Sequence, residues 1–279
     1  MMTFKYSITG FVLFLLCSAT ALAQVSISPT SVFLDRGTGV GTMFLSNPSD
    51  APLEVQISFE FAYPQTNEQG EIEMNYDDEE ARERFSLEPF LRAFPTTFIL
   101  QPNERQTVRL IGRIPSDRDD GMYWTRMRIS SSQLTPPVGD ATEGGIRAQV
   151  AFQINQITAV FGTKGAVETG VTIHGSERYE DSEPGRLVVL THAERTGNAP
   201  FLGRIYSQLV NANGTVVAEN QSTGTVYFEN RHRTEFDISS LPSGTYTVRT
   251  TFETQRSDVS SRHLVQAPPV SSELTVQID

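Results

Sequence analysis

Leu53, Val55, Ile57, Phe59 and Phe61 alternate with Glu54, Gln56, Ser58 and Glu60, the two-residue period of a strand with one buried face and one wet face. A helix would need its apolar residues three and four apart, so this spacing excludes one here. The same period places Met43 and Leu45 on one side of a strand, ended by the turn Asn47-Pro48-Ser49-Asp50. Tyr123, Thr125, Met127 and Ile129 form another inward set. Ile146, Ala148, Val150, Phe152 and Ile154 form the most regular one, alternating with Arg147, Gln149, Ala151, Gln153 and Asn155. Beyond it the phase changes, because Ile157, Ala159 and Phe161 have the opposite parity. That change predicts a bulge or a switch of sheet near Gln156.

The second half keeps the style, with strand candidates at Leu187–Leu190, Gly203–Val210, Thr225–Phe228, Gly244–Phe252 and Ser272–Ile278. Asn211-Ala212-Asn213-Gly214 is placed as a hairpin turn between two of them, and Leu241-Pro242-Ser243-Gly244 leads into another. Short strands punctuated by Gly, Asn and Pro point to an all-β chain of sandwiches rather than parallel α/β units. Gly162-Thr163-Lys164-Gly165 marks the expected boundary, giving domains at 24–162 and 163–279. One stretch departs from the pattern. Pro64–Arg92 is long and acidic and is expected to be a solvated insertion holding one or two short helices. Another, Leu134–Gly145, reads as a long loop.

Residues 1–23 read as a cleavable export signal, with Lys5, an apolar core from Ile8 to Leu16, and the small-x-small site Ala21-Leu22-Ala23. The mature chain is then expected to begin at Gln24 and to carry no membrane span, since the apolar core is too short and does not recur. Cys17 is the one cysteine of the sequence. After cleavage no disulfide, thiol nucleophile or cysteine metal site is possible, and packed apolar surface has to supply the stability. The formal charge of -11 argues against a nucleic-acid partner, which would need clustered positive charge.

Catalytic constellations are scarce, and the chain is not expected to be an enzyme or to hold a cofactor or metal. His174, His192, His232 and His263 stand singly, without zinc-ligand spacing. Ser176 follows Gly175 but lacks the glycine two residues further on that a nucleophile elbow requires, and Asp117, Asp119 and Asp120 do not have the spacing of a calcium loop. One surface feature stands out by pattern. Trp124, Arg126 and Arg128 share the face opposite Tyr123, Thr125, Met127 and Ile129. They form a candidate aromatic and guanidinium ladder for binding a partner, or a solvated face paired with acids on the neighbouring strand.

The order Leu45-Ser46-Asn47, then Phe94-Pro95 with Pro102 and Val108-Arg109-Leu110, then Pro115-x-Asp117-Arg118 before an aromatic strand, resembles the first domain of the PapD-like periplasmic pilus chaperones. The resemblance covers roughly residues 25–161. It implies two immunoglobulin-like sandwiches and a periplasmic, non-enzymatic role. In that role the last strand of the first domain is lent to an incomplete, pilin-like exported subunit, with an outer-membrane usher as a further partner. Gln149–Gln153 resembles the donor strand, so Ala148, Val150, Phe152 and Ile154 become the candidate partner-binding residues. The same alternation also suits a strand packed within its own sandwich. The family's two carboxylate-anchoring basic positions fall at about Ser31 and Ile157 in this chain, and neither is basic. The alternative reading is a structural or adhesion module of a cell-envelope or extracellular assembly.

Overall fold

The computed structural model describes residues 24–134, 152–180 and 183–278. The expected export signal at 1–23 and the loop from residue 135 onward lie outside the described residues. The chain begins with β1 (Ser26–Ser28), β2 (Ser31–Phe33), β3 (Val40–Ser46) and β4 (Leu53–Glu60). An excursion follows, comprising β5 (Tyr63–Thr66), β6 (Ile72–Asn75), helix α1 (Glu79–Phe85) and a single 3-10 turn. Then come β7 (Leu91–Phe94), β8 (Thr97–Leu100), β9 (Arg105–Gly112), β10 (Gly121–Gln133) and β11 (Gln153–Lys164). The rest of the chain supplies β12 (Thr169–Tyr179), β13 (Arg186–Gly197), β14 (Phe201–Asn211), β15 (Val216–Val226), β16 (Glu229–Asp237), β17 (Gly244–Glu253) and β18 (Val270–Ile278).

These strands form two sandwiches, as the alternation predicts. In the first, a sheet of order β1-β3-β9-β7 faces one of order β2-β11-β10-β4-β8, the immunoglobulin-like arrangement with connections that cross between sheets. Met43, Leu45, Leu53, Val55, Leu100, Val108, Leu110, Met127 and Ile129 fill the space between them and are fully buried. Two of the changes of sheet, between β1 and β2 and between β7 and β8, take place at prolines, Pro29 and Pro95. A residue without an N–H fits where a ladder is interrupted. The predicted turn after Leu45 is held by buried Asn47, whose Nδ2 donates to the carbonyls of Ala51 at 2.7 Å and Leu100 at 3.0 Å.

The second sandwich pairs β12-β13-β16 with β15-β14-β17-β18. Its predicted hairpin turn closes as Gly214 donates to the Asn211 carbonyl at 2.9 Å, with Gly214 at φ +81, a conformation glycine adopts without cost. Both sandwiches contain a tyrosine whose hydroxyl donates to the carbonyl four residues upstream. Tyr123 reaches Asp119 at 2.8 Å and Tyr246 reaches Pro242 at 2.9 Å. This is the tyrosine-corner geometry of such sandwiches.

The insertion is not the solvated segment that its composition predicts. β5 and β6 form a hairpin and α1 is capped by Asp78, whose Oδ1 accepts the Ala81 N–H at 2.9 Å. Tyr63, Ala81 and Phe85 then pack into a second apolar cluster that joins the two sandwiches. The hairpin tip is strapped to β16: the Arg231 N–H donates to Thr66 Oγ1 at 2.7 Å, and the Arg233 guanidinium reaches the Gln69 carbonyl at 3.3 Å. Acidic composition described its exposed face alone.

Candidate functional site

β11 pairs with β10 along its whole length, from Gln153 opposite Ser132 to Lys164 opposite Gly121, without a register shift. The bulge expected near Gln156 is therefore absent. The parity changes because the strand exchanges one environment for two. Thr158 and Val160 continue the even-numbered face that begins at Ile154, and Val160 lies in the core of the first sandwich. Ala159 and Phe161, on the other face, are buried in the cluster between sandwiches.

On its other side β11 is covered, among the described residues, by β2 alone, in parallel, at Ala159, Val160 and Phe161. The Leu34 N–H donates to the Phe161 carbonyl at 2.8 Å, so Phe161 turns its backbone polar groups toward β2. Backbone direction alternates along a strand, hence Gln153, Asn155 and Ile157 turn theirs the same way, where no strand among the described residues receives them. At this open edge Phe152 is 64% exposed and Ile157 43% exposed, with Ile154 half-buried. Of the four donor-strand candidates, Phe152 and Ile154 are thus placed at the edge. Ala148 and Val150 lie outside the described residues.

Where β2 covers the edge, a cleft of about 660 Å³ opens between the sandwiches, lined among others by Ser31, Phe33, Arg36, Phe161, Arg262 and His263. Phe33 stacks on Phe161 at 4.8 Å and on His263 at 5.2 Å. Burial lowers the pKa of His263, and the neighbouring Arg262 charge adds to this. The Arg262 Nε–H donates to His263 Nε2 at 3.2 Å. Arg36 is exposed and has no hydrogen-bond or ion-pair partner among the described residues. Asp35 spends its carboxylate on its own turn, with Oδ1 accepting from Thr38 N at 2.9 Å and Gly37 N at 3.1 Å. Those bonds to Thr38 and Gly37 hold its pKa below the usual carboxylate range. Two guanidinium groups therefore stand in the cleft although Ser31 and Ile157 are not basic. Arg262 was not legible from sequence, since only the packing of the second sandwich brings it there.

The surface ladder does not exist as a surface. Trp124 is fully buried, stacked on Phe85 at 4.9 Å and meeting Tyr227 edge to face. Arg126 donates to the Ala62 carbonyl at 3.2 Å and to the Tyr227 hydroxyl at 3.3 Å. Arg128 contacts Glu60 through Nε at 3.1 Å and Nη2 at 2.5 Å. The outward face of β10 is covered by the second sandwich near Trp124, and the acid on the neighbouring strand occupies Arg128. Partner binding by this trio is replaced by contacts within the chain.

Among the described residues, no group of three or more His, Cys, Asp or Glu is placed to hold a metal ion, and no helix is long and apolar enough to cross a membrane. His174 and His192 each face a carboxylate, Glu194 and Glu177 respectively, at 2.9 Å.

No protein-family model matches the chain, and no curated protein matches it. Many of the solved structures similar to it are pilus chaperones. A chain of the Salmonella enterica SafA pilin in complex with the SafB chaperone aligns at 16% identity and a TM-score of 0.42, covering 92% of this chain and 99% of that one. The E. coli chaperone DraB aligns at 13% identity and a TM-score of 0.41, covering 90% and 98%. The Pseudomonas aeruginosa CupB2 chaperone aligns at 11% identity and a TM-score of 0.40, covering 89% and 98%. At these scores and identities the likeness says nothing of function.

Proposed function

We propose that this chain is an exported, non-enzymatic binding protein that takes an incompletely stranded partner subunit onto the open edge of β11. The observation that carries this reading is the edge itself. Gln153-Ile154-Asn155-Gln156-Ile157-Thr158 contains neither charge nor proline, and the flanking Phe152 is exposed. Soluble proteins ordinarily protect such an edge with lysines, prolines, bulges or a covering loop. An edge without charge, proline or bulge is suited to receiving a strand.

In this reading the partner's backbone bonds to Gln153, Asn155 and Ile157, while Phe152 and Ile154, with Ala148 and Val150 upstream, fill the partner's unfinished core. Arg36 and Arg262 offer the cleft at the covered end two guanidinium groups for a carboxylate of the partner, where charge-assisted bonds fix register most firmly. The export signal expected at 1–23 supports a periplasmic site for this work, and the sequence resemblance supports a pilin-like subunit as the partner, passed on to an outer-membrane usher. The test is to capture the mature protein from its native envelope and identify bound chains by mass spectrometry, beside a folded Phe152→Arg/Ile154→Arg variant. One stoichiometric, strand-deficient subunit lost from the variant supports the reading. Equal capture by both proteins overturns it.

A further inference from the structure

Alternation assigns every side chain of the β1-β3-β9-β7 sheet to one of two faces. Met43, Leu45, Leu91, Val108 and Leu110 turn inward and are buried, so Phe44, Arg92, Phe94, Arg105 and Arg109 turn outward. Register sets these in rows. Phe94, Arg109 and Thr42 lie side by side across β7, β9 and β3, and Arg92 stands beside Ile111 in the row beyond. Arg113 continues the parity of Arg105 and Arg109 just past the end of β9. All four arginines are exposed, and none has an ion-pair partner among the described residues.

The four strands contain no aspartate or glutamate, although acids outnumber bases 33 to 22 in the whole chain. Glu104, which precedes β9, is turned into its own loop, with Oε2 accepting the Gln101 N–H at 2.7 Å. Like charges gathered on one face repel one another in the folded chain, and a face of one sign concentrates opposite charge from outside. The acidic insertion and the second sandwich meet the other sheet, where Trp124 on the outward face of β10 touches Phe85 and Tyr227. Two packed sheets lie about 10 Å apart, about one Debye length at physiological salt, so acids beyond the other sheet are largely screened from an object lying on this one.

The shape of the face favours a plane of anions over a single acidic group. Its arginines are spread over neighbouring strands, each free to form paired bonds with its own phosphate. The ring at its middle, Phe44, is already covered by the Arg105 guanidinium at 3.9 Å, which leaves no open central anchor of the kind protein interfaces are built around. The free ring is Phe94 at the β7 rim, 58% exposed. We propose that this face docks the protein on a membrane surface rich in phosphate-bearing anionic lipids, with Arg92, Arg105, Arg109 and Arg113 on separate headgroups and Phe94 at the lipid boundary. The β11 edge belongs to the other sheet, so docking here is independent of strand addition there.

Flotation of the full mature chain with vesicles of equal parts phosphatidylglycerol and phosphatidylcholine, beside vesicles of phosphatidylcholine alone, tests this. The chain is expected to rise with the anionic vesicles and to stay behind with the neutral ones. Arg105→Gln/Arg109→Gln alters two exposed side chains, keeps the near-ultraviolet circular dichroism of the parent, and is expected to lower partition about 25-fold, at about fivefold per arginine. Arg84→Gln/Arg249→Gln removes the same charge from exposed positions elsewhere and is expected to leave partition unchanged. Equal partition into both kinds of vesicle, or equal losses from the two double variants, overturns the proposal. Absence of vesicle binding, with a protein captured from the envelope lost from Arg105→Gln/Arg109→Gln, also overturns it and assigns the face to an acidic protein partner.

Discussion

Trp124 and Tyr227 meet edge to face with ring centroids 5.0 Å apart, one contributed by each sandwich. Phe61, Tyr63, Phe85 and Phe228 complete the group. The two halves therefore share a core rather than hanging from a flexible linker, and the cleft holding Arg36 and Arg262 keeps its shape because this cluster is packed.

Trp124→Ala is expected to cost about 3–5 kcal/mol of stability, the range for emptying a buried aromatic site, measured by urea denaturation. Trp124→Phe is expected to cost much less than its lost volume implies, because it also removes a buried indole N–H without a partner. Equal losses for both substitutions would show that the site relaxes freely.

The strap from the insertion has a specific weak point. Gly70 has φ +76, and a Cβ there would lie 2.8 Å from the Arg231 carbonyl, the Arg233 Cβ and the Leu190 Cδ2. Gly70→Ala should destabilise the protein by about 1–3 kcal/mol. Small-angle scattering should show a wider spread of inter-sandwich arrangements, and an unchanged profile would mean that the aromatic cluster alone sets the angle.

The two tyrosine corners allow an internal comparison. Removing the hydroxyls of Tyr123 and Tyr246 by Tyr→Phe substitution should each cost about 1 kcal/mol, the usual net value of one hydrogen bond. The two effects should add, since they lie in different sandwiches. Strong non-additivity in denaturation would instead show coupling through the shared cluster.

Stability should depend on pH through His232. Burial holds its pKa down, from 6.5 to about 4. As pH falls between these values the unfolded chain binds the proton first, so protonation favours unfolding. Stability is expected to be full above about pH 6.5 and to fall toward pH 4, by at most about 3.5 kcal/mol at about 1.4 kcal/mol per pH unit. Residual water contact of the half-buried residue makes the measured loss smaller. His232→Gln should flatten that part of the profile relative to the parent chain, and an unflattened slope would assign it to other groups.

Strand period made the two sandwiches legible because alternation reports directly which residues face inward, as at Leu53, Val55 and Ile57. The same rule misled at Trp124 and at Ala159 and Phe161, since a strand covered on both faces no longer shows one wet side. Acidic residues hid the docking of Tyr63, Ala81 and Phe85. In the candidate site, Phe152 and Ile154 were visible as a continuation of the alternation. Arg262 was not, because its place depends on which surfaces the second sandwich brings against the first, a relation that no local pattern encodes.

The central claim is that a partner strand pairs with the backbone of Asn155 and Ile157. Amide hydrogen exchange at these two residues, resolved by NMR with and without the captured subunit, tests it most directly. Both amides should exchange rapidly in the free chain and become protected in the complex, while Gln156, directed toward β10, is protected in both states. Rapid exchange of Asn155 and Ile157 in a saturated complex would contradict strand addition at this edge.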